Sequence, residues 1–180
     1  MPVAAYLGIM RVFIIGFMCS GKSIVGRELA KRTGLRFVDI DRVIEQRIGP
    51  LLPWIQQHGE ARFREVESEV LAGLLAEEDV LVACGGGTPM AWDNMDRMLA
   101  AGQVVYLQVP HSILVERARR SGGDRPLLFG LQGDALDDRI KELMHVREPV
   151  YLRAHKHVPG GGSPAETAGL MAGSLGLQER

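Results

Sequence analysis

The chain has 180 residues, of which 46% are hydrophobic and 24% charged, and its formal net charge at pH 7 is -1. This length and composition predict one globular domain, residues 1–180, with a sizeable core. A charge so close to zero excludes the broad basic field that attracts nucleic acid or an anionic membrane, so small anions are the expected partners.

The N-terminal segment and the cysteines indicate the cellular compartment in which the protein is expected. Residues 1–10 are apolar but lack a basic stretch, so we predict a loose leader and not a signal peptide. No apolar run approaches the ~20 residues that cross a bilayer. Cys19 and Cys84 are the two cysteines, too few for a disulfide framework, and they favour a reducing cytoplasm.

A phosphate-binding pattern follows the first predicted strand. Residues 16–23 read GFMCSGKS and match G-x-x-x-x-G-K-[ST] without a mismatch. The apolar run 11–15 before it and the helix-like segment 24–33 after it indicate a loop that joins a strand to a helix. Gly16 and Gly21 permit a tight turn whose N–H groups, with the helix dipole, would bind a polyphosphate.

Individual residues of this loop have predicted roles. Lys22 would reach the β- and γ-phosphates as a point charge, and the Ser23 hydroxyl would ligate Mg²⁺. Cys19, Ser20 and Ile24 complete the predicted nucleotide contacts in this stretch. The alternative is a chance glycine-rich turn, which the flanking strand and helix disfavour.

Two carboxylates end the second predicted strand. Residues 35–38 run into Asp39 and Asp41, whose side chains share one face of an extended chain. Because ligands of open parallel sheets bind outside the carboxyl ends of strands, both should lie beside the phosphate loop. The competing interpretation is that one of them only caps the following helix, 42–48.

Apolar stripes at spacings of three and four residues predict the helices, and short apolar runs predict the strands. The predicted helices are 22–33, 42–48, 51–58, 60–76, 112–120, 134–153 and a final helix from the capping box 163–166 to 175, with one more that contains Trp92, Met95, Met98 and Leu99 as a core stripe. The predicted strands are 11–15, 35–38, 79–83, 103–109 and 155–158. Arg64 and Arg147 lie off the stripes of their helices, so we expect them to face solvent or a ligand.

Two glycine-rich segments interrupt these patterns. Gly85, Gly86 and Gly87 follow the third predicted strand, and three consecutive glycines fit a place where the backbone must approach a ligand closely. Residues 121–133 hold four glycines, a proline and Arg125 without periodicity. A segment of this length inside a compact domain is typical of a lid.

With these residues in place, the chain resembles the shikimate kinase family of small P-loop kinases, from about residue 11 to residue 175. The resemblance rests on the phosphate loop, Phe37-x-Asp39-x-Asp41, Gly59-Glu60 with Phe63-Arg64-x-x-Glu67, Gly85-Gly86-Gly87, Arg125-Pro126-Leu127-Leu128, and Arg147 with Tyr151. It implies a three-layer α/β P-loop NTPase fold with a five-stranded parallel sheet flanked by helices. It also implies that ATP and Mg²⁺ phosphorylate the 3-hydroxyl of shikimate, a step toward chorismate and the aromatic amino acids.

The resemblance further implies roles at the acceptor side of the site. Asp41 would bind the hydroxyls of shikimate and assist removal of the proton, and Asp39 would hold the hydration shell of Mg²⁺. Arg64 and Arg147 would bind the carboxylate, a pairing that suits the guanidinium fork. The backbone N–H groups of Gly85, Gly86 and Gly87 would face the same ligand.

On the nucleotide side, the resemblance implies that Arg125 closes on the phosphates as a catalytic residue with Lys22, and that Arg120 lies against adenine. The chain departs from the family at Cys19, where Gly or Ala is usual, and in the turn 160–163, where the family is more basic. Cys19 is either a reactive thiol, activated by the helix N-terminus and Lys22, or a small space-filling residue that points inward.

Two alternatives stay open from the residues alone. Another small hydroxylated acid, such as gluconate, could be the acceptor, because two arginines suit any carboxylate. A module that binds ATP without turnover is the alternative from another class. His155 and His157 could share a strand face, but they are expected to be solvated. The expected state is a monomer whose partners are ATP and shikimate.

Overall fold

Within the residues that the computed structural model describes, 10–121 and 125–178, five short strands form one parallel sheet. The strands are β1 (Arg11–Ile15), β2 (Arg36–Asp39), β3 (Val80–Ala83), β4 (Gln103–Gln108) and β5 (Lys156–Pro159), in the order β2-β3-β1-β4-β5. Every pairing is parallel, which confirms the predicted sheet. The predicted leader, apart from Met10, and residues 122–124 of the predicted lid lie outside the described residues.

Eight α-helices in this part of the chain connect the strands and flank the sheet. They are α1 (Lys22–Thr33), α2 (Ile40–Ile48), α3 (Leu51–His58), α4 (Glu60–Leu74), α5 (Asn94–Ala101), α6 (His111–Arg120), α7 (Gly133–Tyr151) and α8 (Pro164–Leu175). The predicted capping box before α8 is present: Ser163 Oγ accepts from the Glu166 N–H at 3.2 Å, and Glu166 Oε2 accepts from the Ser163 N–H at 3.0 Å.

The central strands β1 and β3 are buried on both faces. Val12 to Ile15 and Val80 to Val82 have no exposed surface, as expected for the inner strands of a parallel sheet, which read as continuous apolar runs. The neighbours of β1 are β3 and β4. The residues that leave the carboxyl end of β1 are therefore held from both sides, and these residues begin the phosphate loop.

The prediction that Trp92 belongs to the core was wrong. Trp92 is 66% exposed, while Met95 and Met98 are buried as predicted. A short 3-10 turn at Thr88–Met90 precedes α5, and the buried Asn94 donates from its side chain to the Thr88 carbonyl oxygen at 3.0 Å. The helix therefore starts only at Asn94, and Trp92 is not part of its apolar stripe.

No helix in the described ranges combines the length and the apolar character needed to cross a membrane. His155 and His157 are exposed, and the Nδ1 atom of His155 accepts from the Val104 N–H at 3.1 Å. The assignment of residues 1–180 to a single domain stays a prediction.

The contact between β1 and the residue before β4 gives a packing test. A Cβ at Gly102 would overlap the carbonyl oxygen of Arg11 and lie 3.0 Å from its carbonyl carbon. We expect Gly102→Ala to displace β1 and to lower the free energy of unfolding by about 2 to 3 kcal/mol in urea denaturation. Gly73→Ala is the control, since nothing lies within 4 Å of its Cβ and alanine favours its helix by about 0.5 to 1 kcal/mol. Equal stability of the two variants would contradict this packing.

Candidate active site

The phosphate loop, residues 16–23, runs from the carboxyl end of β1 into α1. Gly16 has a φ of 146°, and a Cβ there would lie 2.7 Å from the carbonyl oxygen of Leu107. Both the backbone conformation and the space therefore require glycine at the first position of the pattern. Gly21, with a φ of 93°, is the N-cap of α1, so the loop ends at a helix N-terminus, which favours an anion.

Lys22 is buried and bonded to the loop itself. Its Nζ atom donates to the carbonyl oxygens of Gly16 at 2.9 Å and Phe17 at 2.8 Å, and it lies 3.4 Å from Ser20 Oγ. Burial lowers the pKa of Lys22 to about 8, although the carboxylate of Asp41 opposes this. A phosphate in the loop would compete with these carbonyls for the ammonium group.

A cavity of about 440 Å³ opens over the phosphate loop, and we call it the nucleotide cavity. The turn 160–162 and Thr167 of α8 form its far wall. The residues predicted for the nucleotide that line it are Cys19, Ser20, Gly21, Lys22, Ser23, Ile24 and Arg125. Arg120 is not in its lining. It is exposed and donates to Glu116 Oε1 at 2.6 Å, so its contact with adenine stays a prediction.

Arg117 lines the nucleotide cavity, although no sequence pattern pointed to it. Its Nη1 atom donates to the carbonyl oxygen of Ser20 at 2.9 Å and to that of Cys19 at 3.3 Å. Arg117 and Arg120 are three residues apart on α6, so helical spacing places them on nearly the same face. Periodicity alone could not tell which of the two reaches the loop.

Asp39 and Ser23 are in contact where β2 meets α1. Ser23 Oγ donates to Asp39 Oδ2 at 2.5 Å, and Asp39 Oδ1 accepts from the Asp41 N–H at 3.2 Å. Asp39 is thus the N-cap of α2, as the competing interpretation proposed, and it also touches the loop serine. Among the described residues no group of three or more His, Cys, Asp or Glu could hold a metal. Hydroxyl and carboxylate oxygens that share a metal with water and phosphate are nonetheless the donors that Mg²⁺ prefers.

A second cavity, of about 680 Å³, adjoins the first, and we call it the acceptor cavity. Residues that line both cavities include Ser23, Asp39, Asp41, Gly85, Gly86 and Arg125. The walls of the acceptor cavity come largely from α2, α3 and α4, and they include Arg64, Glu67, Gly87 and Arg147. The two predicted carboxylates therefore lie where the cavities meet.

Asp41 is the titratable group at this junction. Burial, the carboxylate of Glu67 and that of Asp39 raise the pKa of Asp41 to about 6, against the opposite effect of Lys22 and Arg125. A carboxylate with this pKa is ionised at pH 7 and is a better proton acceptor than an ordinary aspartate.

Glu67, whose role the sequence did not predict, organises one wall of the acceptor cavity. It is fully buried and accepts from Arg64 Nη1 at 2.7 Å and from Thr88 Oγ1 at 2.5 Å. Arg64 also donates to Glu60 Oε1 at 3.1 Å. The one signal in the sequence is the spacing Arg64-x-x-Glu67, which on a helix brings the two side chains together.

The triple glycine makes room for these charged side chains. A Cβ at Gly87 would overlap the guanidinium of Arg64, and one at Gly85 would lie 2.8 Å from Glu67 Oε1 and 3.1 Å from Asp41 Oδ1. From the sequence, these glycines were expected where the backbone approaches a ligand closely. At Gly85 and Gly87 a Cβ would displace the ends of the protein's own side chains, and at Gly86 it would lie 3.0 Å from the backbone nitrogen of Met18.

Arg147 is buried, so the prediction that it leaves the apolar stripe of its helix was wrong. It is 5% exposed and lies seven residues after Ile140 and four before Tyr151, which places all three on one face of α7. Its Nη1 atom is buried and has no hydrogen-bond partner within the described residues. An unpaired buried donor is costly. The acceptor cavity is therefore suited to an anionic ligand.

Comparisons with known proteins agree with this geometry. The family model for shikimate kinase matches residues 18–169. A shikimate kinase of Parabacteroides distasonis is 42% identical over 80% of this chain and 84% of that protein, and one of Thermus thermophilus is 41% identical over 86% and 83%.

Solved structures are similar as well. The shikimate kinase from Bacteroides thetaiotaomicron has a TM-score of 0.88 at 30% identity and covers 94% of this chain and 100% of that one. The shikimate kinase from Acinetobacter baumannii, in complex with shikimate, has a TM-score of 0.84 at 31% identity, with 93% and 94% covered. A gluconokinase from Sinorhizobium meliloti, at 18% identity and a TM-score of 0.58 over 93% of this chain and 94% of that one, shares the fold.

The raised pKa of Asp41 predicts a stability difference that depends on pH. The ordinary pKa is 3.8 and the value in the folded chain is about 6, so the folded state binds this proton more tightly than the unfolded state. Ionisation of Asp41 therefore destabilises the fold as pH rises through that window. Asp41→Asn should gain free energy of unfolding relative to wild type between about pH 4 and pH 6 and keep the gain above it, measured by urea denaturation.

Asp93→Asn is the matched control for this series. Asp93 is an exposed N-cap of α5, where asparagine serves as well as aspartate. The free energy of unfolding of Asp93→Asn, relative to wild type, should therefore not rise between pH 4 and pH 6 in the same way. If the free energies of unfolding of Asp41→Asn and wild type differed by the same amount at every pH, the pKa of Asp41 would be ordinary.

Proposed function

The chain belongs to the shikimate kinase family, and we propose that it transfers the γ-phosphoryl group of ATP to the 3-hydroxyl of shikimate. The observation that carries this proposal is the junction of two cavities at Asp41. The phosphate loop lies on one side of that carboxylate, and Arg147, whose Nη1 atom has no hydrogen-bond partner within the described residues, lies on the other. A polyphosphate and a small hydroxylated carboxylate suit these two cavities.

The two alternatives left open by the residues are weaker. The likeness to a gluconokinase is at 18% identity and concerns the fold alone, so it does not favour gluconate as the acceptor. A module that binds ATP without turnover does not fit a chain whose relatives of about 40% identity are kinases over most of their length.

On the nucleotide side, the loop N–H groups and Lys22 bind the β- and γ-phosphates. Lys22 exchanges its bonds to the loop carbonyls for bonds to the phosphates and stabilises the negative charge of the transferring group. Mg²⁺ would be held by Ser23 directly and by Asp39 through water, and it neutralises phosphate charge when bound. Arg125, which lines both cavities, closes on the phosphates from the predicted lid 121–133.

On the acceptor side, Asp41 binds the reacting hydroxyl and accepts its proton while the oxygen–phosphorus bond forms and ADP leaves. Its pKa of about 6 keeps it ionised at neutral pH and makes it a stronger base than an ordinary aspartate. Arg64 and Arg147 bind the carboxylate of shikimate. Glu67 and Glu60 hold the Arg64 guanidinium in place before the ligand arrives, so less side-chain freedom is lost on binding.

The proposal extends to the state of the protein in the cell. We expect a monomer in a reducing cytoplasm that acts on small molecules and binds neither nucleic acid nor membrane. The two free thiols support this location: Cys19 is half-buried and Cys84 is buried beside Met98.

The proton acceptor is tested by Asp41→Asn. Asparagine keeps the shape but cannot take the proton, so kcat in a coupled ADP-release assay should fall by roughly a hundredfold or more. Asp93→Asn, remote from both cavities, should keep wild-type kcat. If Asp41→Asn raised only KM for shikimate, Asp41 would be a binding residue and not the base.

The carboxylate clamp is tested by Arg147→Lys. An ammonium cannot reproduce the bidentate fork, so KM for shikimate should rise about tenfold or more while KM for ATP stays within twofold of wild type. Arg139→Lys is the control on the same helix, where Arg139 pairs with Glu142. A wild-type KM for shikimate in Arg147→Lys would refute the clamp.

A further inference from the structure

We propose that Tyr151 is a positioning residue for the acceptor: its hydroxyl holds the Gly86–Gly87 peptide where this peptide and the carboxylate clamp bind the same carboxylate. The inference rests on the proposed function, and it assigns a role to a residue that the resemblance includes without one. Tyr151 ends α7 and has no exposed surface. It lines neither cavity, so it can act on a ligand only through the groups that it contacts.

The Tyr151 hydroxyl determines the direction of one peptide group. Tyr151 Oη donates to the carbonyl oxygen of Gly86. Burial raises the pKa of Tyr151 to about 12, although Arg147 opposes this, so the hydroxyl keeps its proton at neutral pH and remains a donor. In a trans peptide the carbonyl of one residue and the N–H of the next point in opposite directions, and the described chain has no cis peptide bond. The N–H of Gly87, which lines the acceptor cavity, therefore points away from Tyr151.

The same peptide lies against both arginines of the clamp. A Cβ at Gly86 would lie 3.2 Å from Arg147 Nη1, the buried atom that has no hydrogen-bond partner within the described residues. A Cβ at Gly87 would overlap the guanidinium of Arg64. A movement of this peptide would therefore change the space left to each guanidinium and the direction of the Gly87 N–H. These three groups suit one carboxylate, which accepts several hydrogen bonds at once.

The glycine backbone needs support from outside, because consecutive glycines have no side chains to fix them and their conformational freedom is costly to remove. Tyr151 provides this support from the core. Its ring packs on the ring of Tyr106 at a centroid distance of 5.2 Å, and Tyr106 is buried in β4. Tyr151 also lies four residues after Arg147 on α7, so one helix positions both the guanidinium and the glycine backbone.

Tyr151→Phe tests the inference, because it removes the hydroxyl and keeps the buried ring. Tyr106→Phe is the matched control. It removes a hydroxyl, hydrogen-bonded to Glu148, from the other ring of the same pair, and Tyr106 lines neither cavity. Steady-state assays give kcat, the KM for ATP, and KM and kcat/KM for shikimate and for its methyl ester. Calorimetry gives the Kd for shikimate and for ADP, and the Tm reports the fold.

In Tyr151→Phe we expect the KM and the Kd for shikimate to rise about fivefold to tenfold, the effect of losing one positioned hydrogen bond to a charged group. The kcat, the KM for ATP and the Kd for ADP should stay within about twofold, because the contact serves the carboxylate. The preference for shikimate over its methyl ester should fall by about the factor by which the KM rises. Tyr106→Phe should keep the wild-type KM, Kd and preference, even if its Tm falls as far as that of Tyr151→Phe.

The double variant Tyr151→Phe/Arg147→Lys shows whether both residues act on the same group. Arg147→Lys alone is expected to raise the KM for shikimate about tenfold or more. If both residues serve one carboxylate, the KM of the double variant should rise by less than the product of the two single effects.

Four results would overturn the inference. They are wild-type affinity for shikimate in Tyr151→Phe, an equal rise of the KM for ATP, the same changes in Tyr106→Phe, and single effects that multiply in the double variant. The second and third would mean a general structural role, and the fourth an action elsewhere than on the carboxylate. If the wild-type protein did not phosphorylate shikimate, the proposed function would fall. Normal kinetics in both the wild type and Tyr151→Phe would remove this inference alone.

Discussion

The burial of charge at the carboxyl edge of the sheet is the constraint on which the site depends. Lys22, Glu67 and Arg147 are the buried charged side chains among the described residues, and all three line a cavity. Removing a charge from water is costly unless hydrogen bonds replace the water. Lys22 finds them in the loop carbonyls and Glu67 in Arg64 and Thr88, whereas one nitrogen of Arg147 finds none. In the proposed function, the carboxylate of the ligand supplies the partner that this nitrogen lacks.

The same charges link binding to chemistry. Glu67 holds Arg64 on one side and, with the burial of the site, keeps the pKa of Asp41 raised on the other. One buried carboxylate therefore supports both the proposed clamp and the proposed base. Such proximity leaves little space beside the backbone, so a Cβ at Gly85 or Gly87 would displace Glu67 or Arg64 from these positions. The triple glycine thus suits the charge cluster as well as a ligand.

The features that could be predicted from the sequence are those that depend on residues close together in the chain. Strand and helix bounds agree mostly within two residues, because apolar periodicity and capping residues act locally, and the phosphate loop follows from its spacing. The features that could not be predicted depend on contacts between residues far apart in the chain. Trp92 is exposed because a 3-10 turn precedes α5, which begins only after this residue. Arg147 is buried because it lies on the face of α7 that packs inward, although it carries a charge. The contact of Arg117 with the loop joins distant parts of the chain, and no local pattern encodes it.

We propose that the acceptor cavity selects a hydroxylated carboxylate whose charge completes the Arg147 site. The most direct measurement is ADP release from MgATP with shikimate, with the methyl ester of shikimate and with gluconate. We expect turnover with shikimate and a kcat/KM lower by at least about a hundredfold with the ester, because a buried guanidinium is then left without an anionic partner. Gluconate carries the same charge, so the lower kcat/KM that we expect with it follows from membership of the shikimate kinase family and not from the charge of Arg147. Equal kcat/KM for shikimate and its ester, or faster turnover of gluconate, would contradict this proposal.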